Sequence, residues 1–324
     1  MTSPSEPMAV PGSLREVDVE GLRALALESP EELDATFVPG AGMVGCSLRD
    51  RGVELLGQRG GLAAWIEKSS TFGIPLLYPW ANRLGSDRYQ AAGQSVELPA
   101  GSPLVHRDGG GLPIHGLLFA APDWEVVEQG PQPGGAGLVA RLDFGADPRR
   151  LELFPFPHTL EVAVRLVGLR LEIATTVIAG VEGPVPISFG WHPYLAPPGS
   201  PRADWVIEFP PTQRILTDDR QVPEGGEAAA PVAPGPLGDR VFDDGYAGVT
   251  PGTACSVSDG VRRISVEMTG GYPFTQIYAP RDTDVVCFEP MTAPTNALVS
   301  GEGLSFVEPG QPAGATFAIA VERP

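Results

Sequence analysis

The segment Phe189-Gly190-Trp191-His192-Pro193-Tyr194-Leu195 sets one imidazole among aromatic rings, with a proline directly after it. Histidine is the side chain whose unperturbed pKa lets it gain or lose a proton near neutrality. Pro193 fixes its own φ and biases His192 toward extended geometry, so the ring is expected to project from a strand end. The aromatic neighbours offer flat apolar walls for a sugar or another ring. On these residues alone, a core histidine pinned by a backbone carbonyl is an equally good reading.

A second stretch supplies a carboxylate. Val285-Val286-Cys287-Phe288 is a short, continuous apolar run of the kind found in buried strands, and it ends abruptly at Glu289-Pro290. A glutamate closing such a run is expected to point into a cleft rather than into bulk solvent. A titratable histidine and a partly buried carboxylate, each beside a proline, can form an acid/base pair.

These residues also carry a resemblance. Gly190-Trp191-His192-Pro193-Tyr194-Leu195 resembles the histidine motif of the aldose 1-epimerases (galactose mutarotases), and Asn82-Arg83-Leu84 resembles their Asn-Arg motif. Ile114-His115-Gly116 and Thr275-Gln276-Ile277-Tyr278 are similar to two further sugar-binding elements, in the family's order. Asp243 and Tyr246 match an Asp-x-x-Phe/Tyr element, and Glu289 with Pro294-x-Asn296-Ala297 stands in the place of the catalytic glutamate segment.

The resemblance implies an all-β protein, a large antiparallel β-sandwich of the galactose mutarotase-like supersandwich type. It implies interconversion of the α and β anomers of a free aldose, with Glu289 as base and His192 as acid. Asn82, Arg83, His115, Asp243 and Gln276 would orient hydroxyls, and Trp191 or Tyr194 would supply an apolar wall. Ring opening and reclosure oxidise nothing, so no cofactor and no metal are expected. One departure stands out: after the glutamate the chain reads Pro-Met-Thr-Ala-Pro-Thr-Asn-Ala, where the family carries a Gln and a Pro-Asp-Ala. Asn296 in the place of that aspartate leaves open what supports the base, and with it the preferred sugar.

Three rival functions fit parts of the pattern. A hexose-6-phosphate mutarotase wants cations beside His115, where Leu117-Leu118-Phe119-Ala120-Ala121 supplies none, although Arg88 and Arg107 could reach in. A non-catalytic carbohydrate-binding or sugar-sensing protein has no need of both His192 and Glu289. A glycosidase or polysaccharide lyase wants more aromatic platforms than 5 Trp and 6 Tyr spread along the chain.

Composition narrows the partners. The net charge of -18 argues against nucleic acid and anionic membranes, both of which favour a basic surface. The partner expected is a small neutral sugar, bound by a monomer or homodimer. The three cysteines, Cys46, Cys255 and Cys287, are scattered with no CxxC spacing, which suits a reduced, cytoplasmic protein. Met1–Ser13 lacks the basic start and apolar centre of a signal peptide, and no apolar run approaches the ~18 residues of a membrane span. No zinc constellation, Walker loop, GxGxxG or Gly-x-Ser-x-Gly is present.

The elements that must position the pair read as short strands. Gly 41 and Pro 36 punctuate a chain of 324 residues that is 42% hydrophobic, so a core broken by many turns is expected. Residues 1–14 read as a mobile tail and 15–324 as one domain. Alternation marks Leu22–Glu28 and Leu33–Val38, with a helix over Val17–Leu27 as the alternative. Two strands flank Asp50-Arg51-Gly52. The alternation of Leu160–Leu166 and Leu169–Thr175 about Gly168 predicts an antiparallel hairpin, and Leu138–Phe144 and Ile264–Met268 alternate likewise. Gly57–Gly73, Arg88–Leu112 and Thr217–Gly238 read as loops. Two prolines confine Ile74–Arg83 to a sheet edge or an ordered loop. Asp243-Asp244 reads as a solvated turn, a metal site or, by the resemblance, a sugar-binding element.

Overall fold

A computed structural model of the chain describes residues 10–68 and 70–323. It is 52% strand and 9% helix, which settles the class as all-β. Nine strands form one sheet, in the order Val232–Pro236, Val206–Phe209, Thr253–Ser258, Arg263–Gly270, Pro312–Glu322, Arg170–Ala179, His158–Val167, Gly135–Asp143 and Glu125–Gln132. The hairpin predicted about Gly168 is at its centre, with Val164 opposite Ile173 and Leu166 opposite Leu171. Along it buried and half-buried residues alternate, so each strand commits one face to the core.

A second sheet of eight strands faces the first. Its order is Pro223–Ala229, Gln213–Thr217, Phe242–Ala247, Phe274–Ala279, Val286–Met291, Gly190–Trp191 and Leu76–Leu77, with Tyr194–Leu195 also pairing with Val286–Met291. A third sheet holds Ser13–Val19, Leu22–Glu28, Leu33–Val38, Val44–Asp50 and Val53–Glu54. All pairings within these sheets are antiparallel. One hydrophobic cluster runs from Leu25 to Val321 and takes in Ile173, Phe317 and Ile319 of the nine-stranded sheet with Ile277, Val286 and Phe288 of the eight-stranded one. The core is therefore the space between the two large sheets.

Val286–Met291 is buried at every residue. Val286 and Phe288 point to the core, so by the two-residue period Cys287, Glu289 and Met291 point to the opposite face. Loops cover that face, and the site lies beneath them.

Several local expectations are corrected. Ser13 and Leu14 belong to the first strand rather than to a tail, and Pro11 bridges to Pro133; residues 1–9 of the expected tail lie outside the described residues. Glu20-Gly21 turns a hairpin, so no helix spans Val17–Leu27. Gly57–Gly73 contains the helix Gly61–Lys68, whose Leu62 and Trp65 bury against Val38 and Val44, while Ile66 faces out. Two glycines at its start masked it. Within 88–112, Arg88–Ala91 and Gln94–Glu97 form a hairpin about Ala92-Gly93. Within 217–238, Pro223–Ala229 and Val232–Pro236 are the outermost strands of the two large sheets. A glycine- and proline-rich strand is tolerated at an edge, where one row of backbone groups needs no partner.

Candidate active site

Register brings the site residues together. Gln276 pairs directly with Glu289, and Gly245 with Gln276, on three neighbouring strands. Asp243, two residues before Gly245, therefore shares the face of Gln276 and Glu289, and Gln276 Nε2 donates to Asp243 Oδ1 at 2.7 Å. Gly190 pairs with Met291 and Tyr194 with Cys287, which sets His192 level with Glu289 on the other side of its strand. The His192 backbone N–H donates to the Pro75 carbonyl and that of Tyr194 to Gly73, so the histidine turn is moored to the 73–75 segment.

His192 Nε2 and Glu289 Oε1 are 3.1 Å apart, with side chains 6% and 2% exposed. Tyr194 stacks on the imidazole with centroids 4.2 Å apart. Tyr278 meets it edge-on at 5.7 Å and His115 at 5.6 Å. Glu289 Oε2 and the Nδ1 atoms of His192 and His115 are buried without a protein partner among the described residues. Buried polar atoms are nearly always satisfied, so three unpartnered ones in one place mark a ligand site.

Burial drives both members of the pair toward their neutral forms. It lifts Glu289 well above the usual carboxylate range; the nearby Asp243 charge adds to this and Arg83 offsets part of it. It pushes His192 well below its ordinary value, assisted by His115 and the Arg59 guanidinium. The pair holds one proton as carboxylic acid and neutral imidazole, or as carboxylate and imidazolium, without changing its net charge. His115 is held neutral too, pushed down to about 3 by burial, Arg83 and His106, with Asp108 opposing.

The loops above are zipped to one another. His115 N–H donates to the Asn82 carbonyl, Leu84 N–H to Pro113 and Leu117 N–H to Tyr78. Gly116 is required by this contact: a Cβ there would lie 2.0 Å from the Tyr78 carbonyl oxygen, at φ +80. Its glycine thus serves backbone against backbone rather than backbone against ligand. Asn82 and His115 themselves sit at φ 55 and 63, a left-handed geometry that costs non-glycine residues roughly 1–3 kcal/mol and clusters at functional sites.

Arg83 donates through Nε to Asp108 Oδ2 at 2.8 Å and through Nη1 to Asn82 Oδ1 at 3.1 Å, and its Nη2 lies 3.7 Å from Asp243 Oδ2. Burial would raise Asp108, but Arg83 and the N–H groups of Leu112 and Gly110 outweigh it and hold the carboxyl below its usual range. Asn296 resolves the departure after the glutamate. Its N–H donates to the Arg83 carbonyl and its Oδ1 accepts from Gly85 N–H at 2.7 Å. It steadies the Arg83 turn, not the base.

Two expected walls are displaced. Trp191 is fully buried on the core side, donating to Thr175 Oγ1 at 2.9 Å and packing on Phe317, so it faces no ligand. Adjacent residues of a strand point to opposite faces, and His192 follows directly. Tyr194 is near the pair but only 2% exposed, behind the imidazole. Tyr246 packs on Phe209 in the core, three residues from Asp243 and hence on the other face. The half-exposed aromatics at the site are Tyr278 and Phe119, the latter 6.4 Å from His115. Tyr278 was legible as the i+2 neighbour of Gln276; Phe119 gave no signal.

A narrow cleft lined by Asn82, Thr217, Gln221, Asp243, Gln276 and Thr295 opens at this face. Arg88 is paired with Glu97 at the surface, Arg107 donates to Asp87 and the Gly111 carbonyl, and neither lines the cleft. Asp244 turns away from Asp243 toward Arg214. Among the described residues no group of three or more His, Cys, Asp and Glu side chains is arranged to hold a metal.

A family model for aldose 1-epimerase matches residues 23–320. The chain belongs to the aldose 1-epimerase family. Within it, the Escherichia coli protein YihR, itself uncharacterised, is 24% identical over 263 residues, 76% of this chain and 79% of that protein. Among solved structures, a galactose mutarotase-like protein from Clostridium acetobutylicum superposes with a TM-score of 0.83 at 17% identity, covering 96% of this chain and 98% of that one. Galactose 1-epimerase from Lactobacillus acidophilus gives 0.75 at 13% identity, covering 97% and 99%. At these identities the structural likeness establishes the aldose 1-epimerase fold and leaves the sugar open. No helix among the described residues is long and apolar enough to cross a membrane.

Proposed function

We propose that the protein is an aldose 1-epimerase acting on a free, uncharged aldose, with Glu289 and His192 as its proton-transfer pair. The observation that carries this is the sealed Glu289–His192 contact, which leaves Oε2 and Nδ1 unpartnered beside a cleft lined by amides and a carboxylate. Glu289 as carboxylate takes the proton of the C1 hydroxyl while His192 as imidazolium gives one to the ring oxygen. The C1–O5 bond breaks and a C1 carbonyl forms. Rotation about C1–C2 turns the other carbonyl face to the hydroxyl, and the reverse transfers close the ring as the other anomer.

The opened intermediate coincides with the pair's neutral state, carboxylic acid beside neutral imidazole. Burial that disfavours both charges therefore favours the ring-opened form relative to the same pair in water. The sugar is read as uncharged because the cleft lining holds no Lys or Arg, and Arg83, next to Asn82 of that lining, is engaged by Asp108 and Asp243. Anomer exchange followed by NMR across free and 6-phosphorylated aldoses tests the proposal. Exchange of free aldoses is expected; exchange confined to phosphorylated sugars overturns the assignment of a neutral substrate, and no exchange of any sugar overturns the activity.

A further inference from the structure

The cleft beside Gln276 has a volume of about 10 Å³, room for a single water molecule. Pockets that hold small ligands run to roughly 300–1,000 Å³. Glu289 Oε2 and His192 Nδ1, the atoms left to meet a sugar, are buried as well. A pyranose enters only if a wall of the cleft moves. We propose that the tip of the edge hairpin, residues 215–223, is a lid that lifts to admit the sugar and, on closing, carries Gln221 onto it as a binding residue. The inference rests on the sugar-binding role of the cleft.

Sheet register shows which wall is free. Gln213–Thr217 pairs with Phe242–Ala247 only at Gln213 opposite Ala247 and Arg214 opposite Tyr246. From Ile215 onward it has left the ladder to the Asp243 strand, and its one remaining strand partner is Pro223–Ala229. The tip nevertheless sends Ile215, Thr217, Gln221 and Pro223 into the lining. The other walls are tied. The strands of Asp243, Gln276 and Glu289 pair in succession, and the Asn82 carbonyl accepts from His115 N–H. Thr295 precedes Asn296, which is bonded to Arg83 and Gly85.

The tip is built to move as a unit. Asp218 Oδ1 accepts from the N–H groups of Arg220 and Val222, each at 2.9 Å, Asp218 N–H donates to the Val222 carbonyl, and Gln221 N–H donates to the Asp218 carbonyl. Among the described residues no hydrogen bond joins 215–223 to 82–85 or 294–296. What holds the tip down there is apolar: Val222, 6% exposed on an otherwise polar turn, seats on Gly85, where a Cβ would lie 2.8 Å from Val222 Cγ1. Such a contact has no directional bond to break and can open and reclose. The register shift between Ile215 and Thr217, and Gly225-Gly226 at φ 85 and 91, supply hinges on the two sides of the tip. Gln221 itself is held at φ 63, a strained geometry of the kind kept at ligand clamps. Its amide, able to donate and accept, lines the cleft with Asp243 and Gln276.

Locking the tip tests the lid. Gly85→Cys with Val222→Cys places two thiols across the latch, and Ile215→Cys with Gly245→Cys is a second bridge, since a Cβ on Gly245 would lie 4.0 Å from Ile215 Cβ. The native Cys46, Cys255 and Cys287 are all buried, so oxidation can be confined to the new pair. By exchange NMR on galactose and glucose, at least one bridged variant should lose about tenfold or more in kcat/KM and regain it on reduction, which also shows that the fold is intact. Bridged proteins, verified by mass, that exchange at their reduced rates overturn the lid. Gln221→Ala should raise KM about fivefold with kcat held, the loss of one neutral hydrogen bond; an unchanged KM overturns the role of Gln221. Saturation-transfer NMR with galactose separates the lid from the activity. If no sugar exchanges but galactose binding is lost on oxidation and regained on reduction, the lid stands and the epimerase reading falls; binding that oxidation leaves untouched overturns the lid.

Discussion

The hydroxyl of Tyr194 lies 3.2 Å from His192 Nε2 while the two rings stack with their planes 3° apart. In that geometry the hydroxyl sits over the imidazole face, and the in-plane direction of Nε2 is left to Glu289. The phenol is itself tethered, bonded to Thr71 Oγ1 and accepting from Arg59 at 3.3 Å. Tyr194 therefore fixes the orientation of the His192 ring. Tyr194→Phe keeps the stack and should hold kcat near wild type, whereas Tyr194→Leu should lower it by roughly 10² through misplacement of the ring. Exchange NMR on both variants checks this; equal losses would assign the effect to the hydroxyl.

Glu289→Gln and His192→Asn should each lower kcat by at least about 10². If Glu289→Gln keeps near-wild-type exchange, the base is another group, and Asp243 is the next carboxylate on that face.

The same Glu289→Gln variant should be more heat-stable than wild type, increasingly so as pH rises. A carboxyl raised by burial binds more protons folded than unfolded, so its contribution is present below the unfolded value near 4.5 and is lost as pH rises through the folded value. Glutamine has no such loss. Melting curves at pH 5 and pH 8 for both proteins read the difference; a gap that narrows toward pH 8 would contradict the buried, neutral Glu289.

The rate should trace a bell in pH with its limbs assigned by the pair's single proton. Adding a second proton charges His192, whose folded value lies below 6.5, so the acid limb falls below 6.5. Removing the last proton ionises Glu289, so the alkaline limb belongs to the raised carboxyl. With unshifted values for an acid His192 and a base Glu289, the order would be the opposite, His192 setting the alkaline limb. Nitrogen-15 NMR of the imidazole in free enzyme decides it: His192 protonating above 6.5 would overturn this assignment of the limbs.

Asn296→Asp should retain activity, because a carboxylate oxygen can accept from Gly85 N–H as the amide does. Asn296→Ala removes the partner of that half-buried donor and should cost about 1 kcal/mol of stability, with a rise in KM through the loosened Arg83 turn. Denaturant melts and exchange kinetics on the two variants test both halves.

The pair itself was legible because each member interrupts a strong local pattern: His192 among aromatics before a proline, Glu289 at the end of an apolar run. The central hairpin was legible because its faces differ in burial. Pro223–Ala229 was not, since an edge strand needs neither apolar alternation nor freedom from glycine. Trp191 was misplaced because a motif gives neighbours in sequence, whereas the pleat sends neighbours to opposite faces. Which way His192 shifts could not be read from a net charge of -18; that depends on burial and on Arg59, 133 positions away by numbering.

Pro223–Ala229 is the last strand of its sheet and takes its hydrogen bonds from Gln213–Thr217 alone. Lengthening, shortening or replacing it leaves the floor of Gln276 and Glu289 untouched, because those residues are held three and four strands inward. The rim of the cleft, to which Pro223 contributes, and the Glu289 floor thus reside in parts of the chain that can drift independently.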